Sequence, residues 1–323
     1  MLHPLASRLR VHHERVSVRV LVYGPDGIGK TRFGKEAPKP LFLAAESEHL
    51  PRSIPSIEPT DWNDLLTIVR ALQDDPMGCE TLVLDTVDWL EPKAILHICT
   101  RDTGMTKTPL ILPDGSPYIE GYGYNHGYDV LVGEWRVLLV ELDRLRAKHA
   151  MNIVLLAHAQ AHRHKNVAGD DYGVIGPSVA KKTSDLLCQW CDAVLYAEFD
   201  RQLVQAPESN QPNAKAKVIT KGTRICWTEH RGAHRAKNRF SMPPSIPFSW
   251  REFARYALAD MDELRNRVHL QLEALSDEAT RQRVQTYLRQ QPEESGVLIQ
   301  ALRWIHAAKT EPEKKEGEIT LSS

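Results

Sequence analysis

The sequence predicts an α/β fold in which a mainly parallel central sheet is flanked by helices. Short apolar runs rich in β-branched residues alternate along the chain with segments of helical periodicity, and this alternation is typical of a parallel sheet. A glycine-rich loop, GPDGIGKT at 24–31, directly follows the first of these runs. Only helix-like patterns occur between residues 259 and 308, so we expect a small helical appendage after the sheet.

The expected elements follow in order from residue 18. The apolar runs predict strands at 18–23, 41–45, 81–85, 152–157, 193–199 and 217–229, with the last two forming hairpins at the far edge of the sheet. Helical spacing and capping residues predict helices after the glycine-rich loop, at 61–73, at 130–150 and between Pro177 and Trp190. Residues 102–128 are rich in Gly, Pro and Tyr without a sustained period, which predicts a long loop.

These patterns divide the 323 residues into four expected regions. The α/β core is expected at 18–256, after an N-terminal extension at 1–17, and the helical appendage at 257–309. The stretch 310–323 is polar and of mixed charge, which is typical of a disordered tail.

Composition excludes several classes of protein. The formal net charge is −1 and the mean hydropathy −0.39, so no global basic field would draw the chain to a polyanion. The five cysteines are an odd number scattered along a long chain, unlike a secreted disulfide framework. Without an apolar run of the ~20 residues that span a membrane or a leader-like segment, we expect a cytoplasmic protein with no membrane association.

The glycine-rich loop matches the phosphate-binding pattern G-x-x-x-x-G-K-[ST] at every position, between a strand and an expected helix. Its glycines let backbone N–H groups turn inward around an anion. Lys30 would reach the β- and γ-phosphates of a nucleoside triphosphate, and Thr31 would offer a hydroxyl to Mg²⁺. The pattern predicts a nucleotide site formed by Gly24, Pro25, Asp26, Gly27, Ile28, Gly29, Lys30 and Thr31.

A P-loop needs an acid for the magnesium shell, and a buried strand delivers such an acid from its C-terminal end. The run TLVLDT places Asp85 there, and we assign Thr31 and Asp85 to Mg²⁺. Hydrolysis also needs a carboxylate that activates water. Because Thr86 follows the magnesium acid, we expect Glu46, at the end of the run LFLAA, to be this base, with Glu48 and Asp88 as alternatives.

Two polar residues follow the strand NIVLLA, where they could sense the γ-phosphate and relay its presence to the next loop: His158 and Gln160. A metal site at His158, His162 and His164 is a weaker interpretation, because no further ligand follows at a characteristic spacing. The pair Cys188 and Cys191 lacks the second pair of a zinc site, and core packing accounts for it better.

Basic residues recur every four positions in the segment EHRGAHRAKNRF, at Arg231, Arg235 and Arg239. Such a cluster near the edge of a P-loop enzyme can complete a phosphate site, within the chain or across a subunit boundary. A solvated basic face is the alternative interpretation.

Five segments together resemble the RecA-like P-loop ATPases, and most closely the phage-type AAA nucleotide-binding proteins that include RecA-like single-strand annealing proteins. They are GPDGIGKT, LFLAAESEHL, TLVLDT, LLAHAQ and HRAKNRF, within residues 18–255. The resemblance implies that Glu46 is the water-activating base and that His158 or Gln160 is the sensor. It implies further that Lys237 and Arg239 act in trans on a neighbour's nucleotide. The chain departs from RecA in lacking the Asn-Gln sensor dipeptide and a long recombinase C-terminal domain.

We therefore expect a Mg²⁺- and ATP-dependent hydrolase that forms a homo-oligomer with shared active sites and acts on single-stranded DNA in recombination or annealing. Aromatic stacking and phosphate contacts would come from the loops 117–128 and 162–182. The residues concerned are Tyr118, Tyr122, Tyr124, Tyr128, Arg163, Lys165, Lys181 and Lys182. The tyrosines equally suit packing on the core. A small-molecule or nucleotide kinase with an arginine lid, and a nucleotide-gated interaction module, remain alternatives.

Overall fold

The structure, a computed structural model, describes residues 17–44, 53–124, 126–164, 172–204, 217–291 and 294–310. These residues fall into two compact units, one within 15–254 and one that contains 255–310. Among the helices described, none combines the length and apolar character that a membrane crossing requires.

The first unit is built on a sheet in which the described residues form nine strands. The strands before residue 165 are β1 (Arg19–Gly24), β2 (Pro40–Ala44), β3 (Ser56–Ile57), β4 (Thr81–Asp85) and β5 (Asn152–His164). The later strands are β6 (Tyr172–Pro177), β7 (Ala193–Val204), β8 (Lys217–Trp227) and β9 (Ser245–Pro247). Along the sheet the order is β3-β2-β4-β5-β1-β7-β8-β9, and β6 pairs with β5.

The sheet is parallel from β3 to β7 and antiparallel beyond. Strand β1 lies between β5 and β7 and is parallel to both, so the loop after Gly24 emerges at the middle of the sheet. The pairs β7–β8, β8–β9 and β5–β6 are antiparallel. The C-terminal ends of β1, β4 and β5 therefore meet at one edge, where ligands of open α/β sheets bind.

Helices cover the sheet and follow the strands in chain order. They are α1 (Lys30–Lys35), α2 (Trp62–Asp74), α3 (Val87–Arg101), α4 (His126–His149), α5 (Lys181–Trp190) and α6 (Trp250–Ala257). Alternate strand residues pack into one large cluster with α2, α3 and α4, where the rings of Trp62 and Trp135 meet edge to face. On α1, a Cβ atom at Gly34 would lie 3.0 Å from Phe42 and from Val83. Because both faces of the strands are buried, their sequences are continuous apolar runs.

The second unit contains the helices α7 (Met261–Glu273), α8 (Glu278–Gln290) and α9 (Ser295–Thr310). Asp260 and Asp277 are the N-caps of α7 and α8, and each side chain accepts hydrogen bonds from two backbone N–H groups. Helix α9 packs against both of the others. The limits of the four regions expected from the sequence stay predictions.

The predicted fold class is confirmed, since the described residues form a mainly parallel sheet flanked by helices and a helical C-terminal region. Several details differ from expectation, including the short strands β3 and β9, which were not predicted. Helix α3, which contains Pro92, was not predicted. Strand β5 does not end at residue 157 but continues to His164 as half of a hairpin with β6. Helix α4 begins at His126, within the expected loop 102–128, which also contains a short 3₁₀ helix at Ile119–Tyr122.

Candidate active site

The loop between β1 and α1 has a backbone that requires glycine. Gly27 and Gly29 have φ angles of +70° and +104°, in the left-handed region that side chains disfavour. A Cβ atom at Gly24 would lie 2.4 Å from the carbonyl oxygen of Ala197, so no larger residue fits there. Ile28 is fully buried and anchors the loop in the core. These features support the predicted phosphate-binding loop, whose N–H groups can surround an anion.

The amine of Lys30 is held against this loop. Lys30 is only 7% exposed, and its Nζ donates to the carbonyl oxygens of Gly24 at 3.1 Å and Pro25 at 3.2 Å. Burial lowers the pKa of Lys30, while the nearby carboxylates Asp26, Asp88 and Asp85 oppose this shift. A buried amine without a directly bonded carboxylate can exchange its carbonyl partners for a phosphate.

Thr31 and Asp85, the two residues expected to hold magnesium, are brought together by the fold. The Thr31 hydroxyl donates to Oδ2 of Asp85 at 2.8 Å. Burial raises the pKa of Asp85, and the hydrogen bond from Thr31 and the charge of Lys30 oppose the shift. A hydroxyl and a carboxylate fit Mg²⁺, which binds protein through one or two oxygen ligands and keeps waters and phosphates for the rest.

No larger metal centre exists in the described part of the chain, where no group of three or more His, Cys, Asp or Glu side chains could hold an ion. Cys188 and Cys191 are buried free thiols, and burial raises the pKa of both. Thiols that stay protonated pack as small apolar groups, in agreement with the core interpretation of this pair.

His158 connects the end of the parallel part of β5 to the P-loop. Its backbone N and its Nδ1 contact the two carboxylate oxygens of Asp88 at 2.9 and 2.6 Å. Its Nε2 lies 3.2 Å from Oδ1 of Asp26. The hydrogen bond that its ring donates to Asp88 raises the pKa of His158. Burial alone would raise the pKa of Asp88, but its bonds with His158 outweigh burial and lower it.

Gln160 lies farther along β5 and does not reach the P-loop through any described contact. Its Nε2 donates to the carbonyl oxygen of Val179 at 3.2 Å, and its Oε1 accepts from the Ser178 hydroxyl at 3.1 Å. Gln160 thus ties β5 to the segment that follows β6. Of the two sensor candidates, only His158 contacts a P-loop residue.

Glu91 is a residue of this network that sequence reasoning missed. It lies three positions after Asp88, on the same side of helix α3. The buried Glu91 accepts a hydrogen bond from the backbone N of Ala180 at 2.6 Å, and burial raises its pKa. Asp88 and Glu91 thus hold the segments before and after the β5–β6 hairpin. In the sequence, Asp88 and Glu91 follow the strand TLVLD three positions apart, and this spacing could have indicated a pair of acids on one side of a helix.

Lys237 and Arg239 bond within the chain, away from Lys30. The Nζ of Lys237 donates to three carbonyl oxygens at the end of helix α5, those of Cys188, Gln189 and Cys191, at 3.1, 2.9 and 2.7 Å. Arg239 lies 3.4 Å from Asp192. These contacts give both residues a structural role, and their action in trans stays a prediction.

The expected base, Glu46, and its alternative Glu48 lie outside the described residues. Strand β2 ends at Ala44, whose backbone is in register with Asp85. The third candidate, Asp88, has both oxygens bonded to His158 and a lowered pKa, which makes it a weak base.

Comparison with known families completes this description. The AAA domain family matches residues 17–240, more than half of the chain and nearly all of the unit that holds the P-loop. The chain belongs to this AAA domain family. The predicted AAA family is confirmed, and residue roles in this AAA domain rest on its own geometry.

Similarity to individual proteins is low. The crystal structure of the RadB recombinase aligns with 73% of this chain and 89% of its own, at 14% identity and a TM-score of 0.38. No curated protein matches the sequence.

Proposed function

We propose that this AAA domain binds ATP together with Mg²⁺ and hydrolyses it. The observation that carries the proposal is the 2.8 Å hydrogen bond between Thr31 and Asp85, next to a buried Lys30 in a complete P-loop. A P-loop without a strand-end acid beside its hydroxyl would lack one of the two protein groups that would hold magnesium.

The chain's own groups divide the chemistry among them. The loop amides and Lys30 bind and neutralise the phosphates, while Thr31 and Asp85 would hold the metal. When bound, Mg²⁺ neutralises charge on the β- and γ-phosphate oxygens. Glu46, two residues beyond the end of β2 in sequence, is proposed as the base that accepts a proton from the attacking water.

His158 is proposed as the group that senses the γ-phosphate. Its Nε2 lies 3.2 Å from the exposed carboxylate of Asp26, a contact that an incoming phosphate would compete for. A movement of His158 would displace Asp88, to which it is bonded. Asp88 shares helix α3 with Glu91, which bonds to the backbone of Ala180. Strand β5 beyond residue 158 and the segment from 172 to 180 are therefore expected to respond to the nucleotide.

Single-stranded DNA is the proposed partner, and three tyrosines of the loop 117–128 differ in how the fold holds them. The hydroxyls of Tyr122 and Tyr128 bond to Asp102 and Glu120 at 2.6 and 2.7 Å, so these rings are held by the fold. The Tyr124 side chain is fully exposed and suits base stacking. Homo-oligomers with shared active sites belong to the same proposal.

The kinase alternative finds less support. Arg235 bonds to Asp185 at 2.6 Å, and Arg231 lies over the Trp227 ring with Cζ 4.1 Å from its centroid. With Arg239 bonded to Asp192, the arginines that would form a lid are all held by contacts within the fold.

The experiment is ATP turnover with and without Mg²⁺ and with and without single-stranded DNA. We expect turnover that requires Mg²⁺, is stimulated by the DNA and is lost in Asp85→Asn. Asp74→Asn, at a side chain that is 90% exposed, is the matched control and should behave as wild type. Turnover only with a small phosphoacceptor would favour a kinase, and ATP binding without turnover would favour a nucleotide-gated module.

The DNA part of the proposal has a separate test. Tyr124→Ala should reduce DNA stimulation while leaving basal turnover unchanged, because the ring makes no contact with the P-loop in the described residues. Met105→Ala, at a side chain 76% exposed, is the control for a general loss of exposed apolar surface. Equal stimulation of wild type and Tyr124→Ala would remove Tyr124 from the DNA site.

A further inference from the structure

Strands β7 and β8 lie beside the P-loop. Strand β7 passes Gly24 so closely that a Cβ atom there would lie 2.4 Å from the Ala197 carbonyl oxygen. It then continues beyond the end of β1, and its Phe199 pairs with Arg224 of β8. The Phe199–Arg224 pair therefore lies past the end of β1, at the level of the loop.

The guanidinium of Arg224 lies against Gly29. A Cβ atom at Gly29 would lie 2.7 Å from Nη1 of Arg224 and 3.7 Å from its Cζ, which places the guanidinium beside the loop. Glycine is favoured at this position by its φ of +104°. The Arg224 side chain is exposed, and Cζ lies 5.9 Å from the centroid of the Phe199 ring. Within the described residues, the guanidinium has no hydrogen-bond or ion-pair partner.

The order of the strands shows which end of a nucleotide Arg224 would meet. Asp85 is on β4, two strands from β1 on one side, whereas Arg224 is on β8, two strands from β1 on the other. Thr31 and Asp85 would hold the metal beside the β- and γ-phosphates, so this pair marks the γ-phosphate end. If the phosphates lie along the loop with the γ-phosphate at this pair, the nucleoside end of the nucleotide lies on the opposite side of β1, toward β7 and β8.

We propose that Arg224 and Phe199 form the subsite for the nucleoside monophosphate end of the bound nucleotide. This inference rests on the proposed function and deepens it by assigning residues that no sequence pattern marked. A guanidinium binds a phosphate oxygen through fixed N–H donors and offers a planar face that stacks on a base. The Phe199 ring beside it limits the directions that the guanidinium can adopt.

The test is calorimetric titration of wild type and Arg224→Ala with ATP, ADP and tripolyphosphate. We expect the affinities for ATP and ADP to fall roughly tenfold, the effect of losing one charge-assisted contact. The affinity for tripolyphosphate, which keeps the third phosphate but lacks the nucleoside, should fall less than that for ATP. Arg224→Lys should recover only part of the loss, because lysine lacks the planar face. Arg251→Ala removes another exposed arginine of the same unit and should bind all three ligands as wild type does.

The outcomes separate this inference from the proposed function. ATP binding by Arg224→Ala equal to wild type, with loss of binding in Lys30→Ala, would overturn the inference and leave the P-loop assignment intact. An equal loss of tripolyphosphate and ATP binding would make Arg224 a general phosphate cation and would also overturn it. A correctly folded wild type that binds no ATP would overturn the proposed function itself.

Discussion

Both oxygens of the Asp88 carboxylate hold His158, one through the backbone N at 2.9 Å and the other through Nδ1 at 2.6 Å. This double contact joins the first turn of helix α3 to strand β5. Because the other ring nitrogen of His158 faces Asp26 in the P-loop, a change in the loop has a direct route to α3.

The pair of Asp88 and His158 predicts a pH-dependent contribution to stability. The raised pKa of His158 means that its contribution is complete below the unfolded value near 6.5 and is lost as pH rises through the folded pKa. The lowered pKa of Asp88 means that its contribution is present above about pH 4 and is lost as pH falls through the folded pKa. The Tm of wild type should therefore exceed that of His158→Asn most between about pH 4 and 6.5. A difference of 1 kcal/mol in the free energy of unfolding corresponds to roughly 2–4 °C in Tm.

The measurement is Tm by thermal unfolding from pH 3 to 9 for both proteins. His97 lies on the same helix as Asp88 and contacts Asn63. His97→Asn is therefore the control for a histidine that bonds no carboxylate among the described residues. A Tm difference that is constant over this pH range would contradict an ionised pair.

Lys30→Ala should lose ATP affinity without unfolding. The amine would neutralise the β- and γ-phosphates. Because the variant loses a charged hydrogen bond, its affinity for ATP should fall roughly tenfold to a hundredfold. The fold should persist because, within the described residues, Nζ bonds only to loop carbonyls. Titration with ATP measures the first effect and circular dichroism the second. Lys35→Ala, on the exposed side of the same helix, should bind as wild type; unchanged affinity in Lys30→Ala would refute the P-loop assignment.

Glu46→Gln should bind ATP and stop hydrolysis, because the amide keeps the shape of the side chain but cannot accept a proton from water. General-base catalysis predicts a loss of about a hundredfold or more in turnover. Single-turnover hydrolysis alongside ATP titration separates the two effects. Retained turnover, together with a loss in Glu48→Gln or Asp88→Asn, would assign the base to one of those residues instead.

Lys237→Met should destabilise the unit that contains 17–254. Its amine donates to three carbonyl oxygens at the end of α5, and leaving such acceptors without a partner costs about 1–3 kcal/mol. Urea denaturation monitored by tryptophan fluorescence gives the free energy of unfolding. Lys181→Met, at an exposed lysine of helix α5 itself, is the control. Wild-type stability in Lys237→Met would show that the three contacts contribute nothing.

The proposed action of Lys237 and Arg239 in trans predicts recovery of activity on mixing. A Lys237→Ala/Arg239→Ala protein should bind ATP but turn it over slowly, since a trans cation stabilises charge that develops on the transferred phosphoryl group. Combined with Lys30→Ala, it should regain part of the activity, because some interfaces then pair an intact P-loop with an intact cation donor. If oligomers shown to contain both proteins recover no activity, Lys237 and Arg239 do not act in trans and have only their structural role.

Local sequence predicted the parts of the site that depend on neighbours in the chain. A β-branched run that ends in GPDGIGKT specifies a buried strand, a turn with positive φ and a following helix, because each depends on a few adjacent residues. Asp85 was predictable for the same reason, as the polar residue that ends a buried strand. The structure then places its carboxylate 2.8 Å from the Thr31 hydroxyl.

The contacts between distant segments were decided by the tertiary structure alone. Nothing local indicates that Arg224 lies against Gly29, that Glu91 holds the Ala180 backbone, or that Lys237 turns to the end of α5. Each of these contacts depends on strand order and register, which bring together residues that are far apart in the chain. A single sequence shows which side chains can ionise or donate, but the packing of the sheet determines the partner that each one meets.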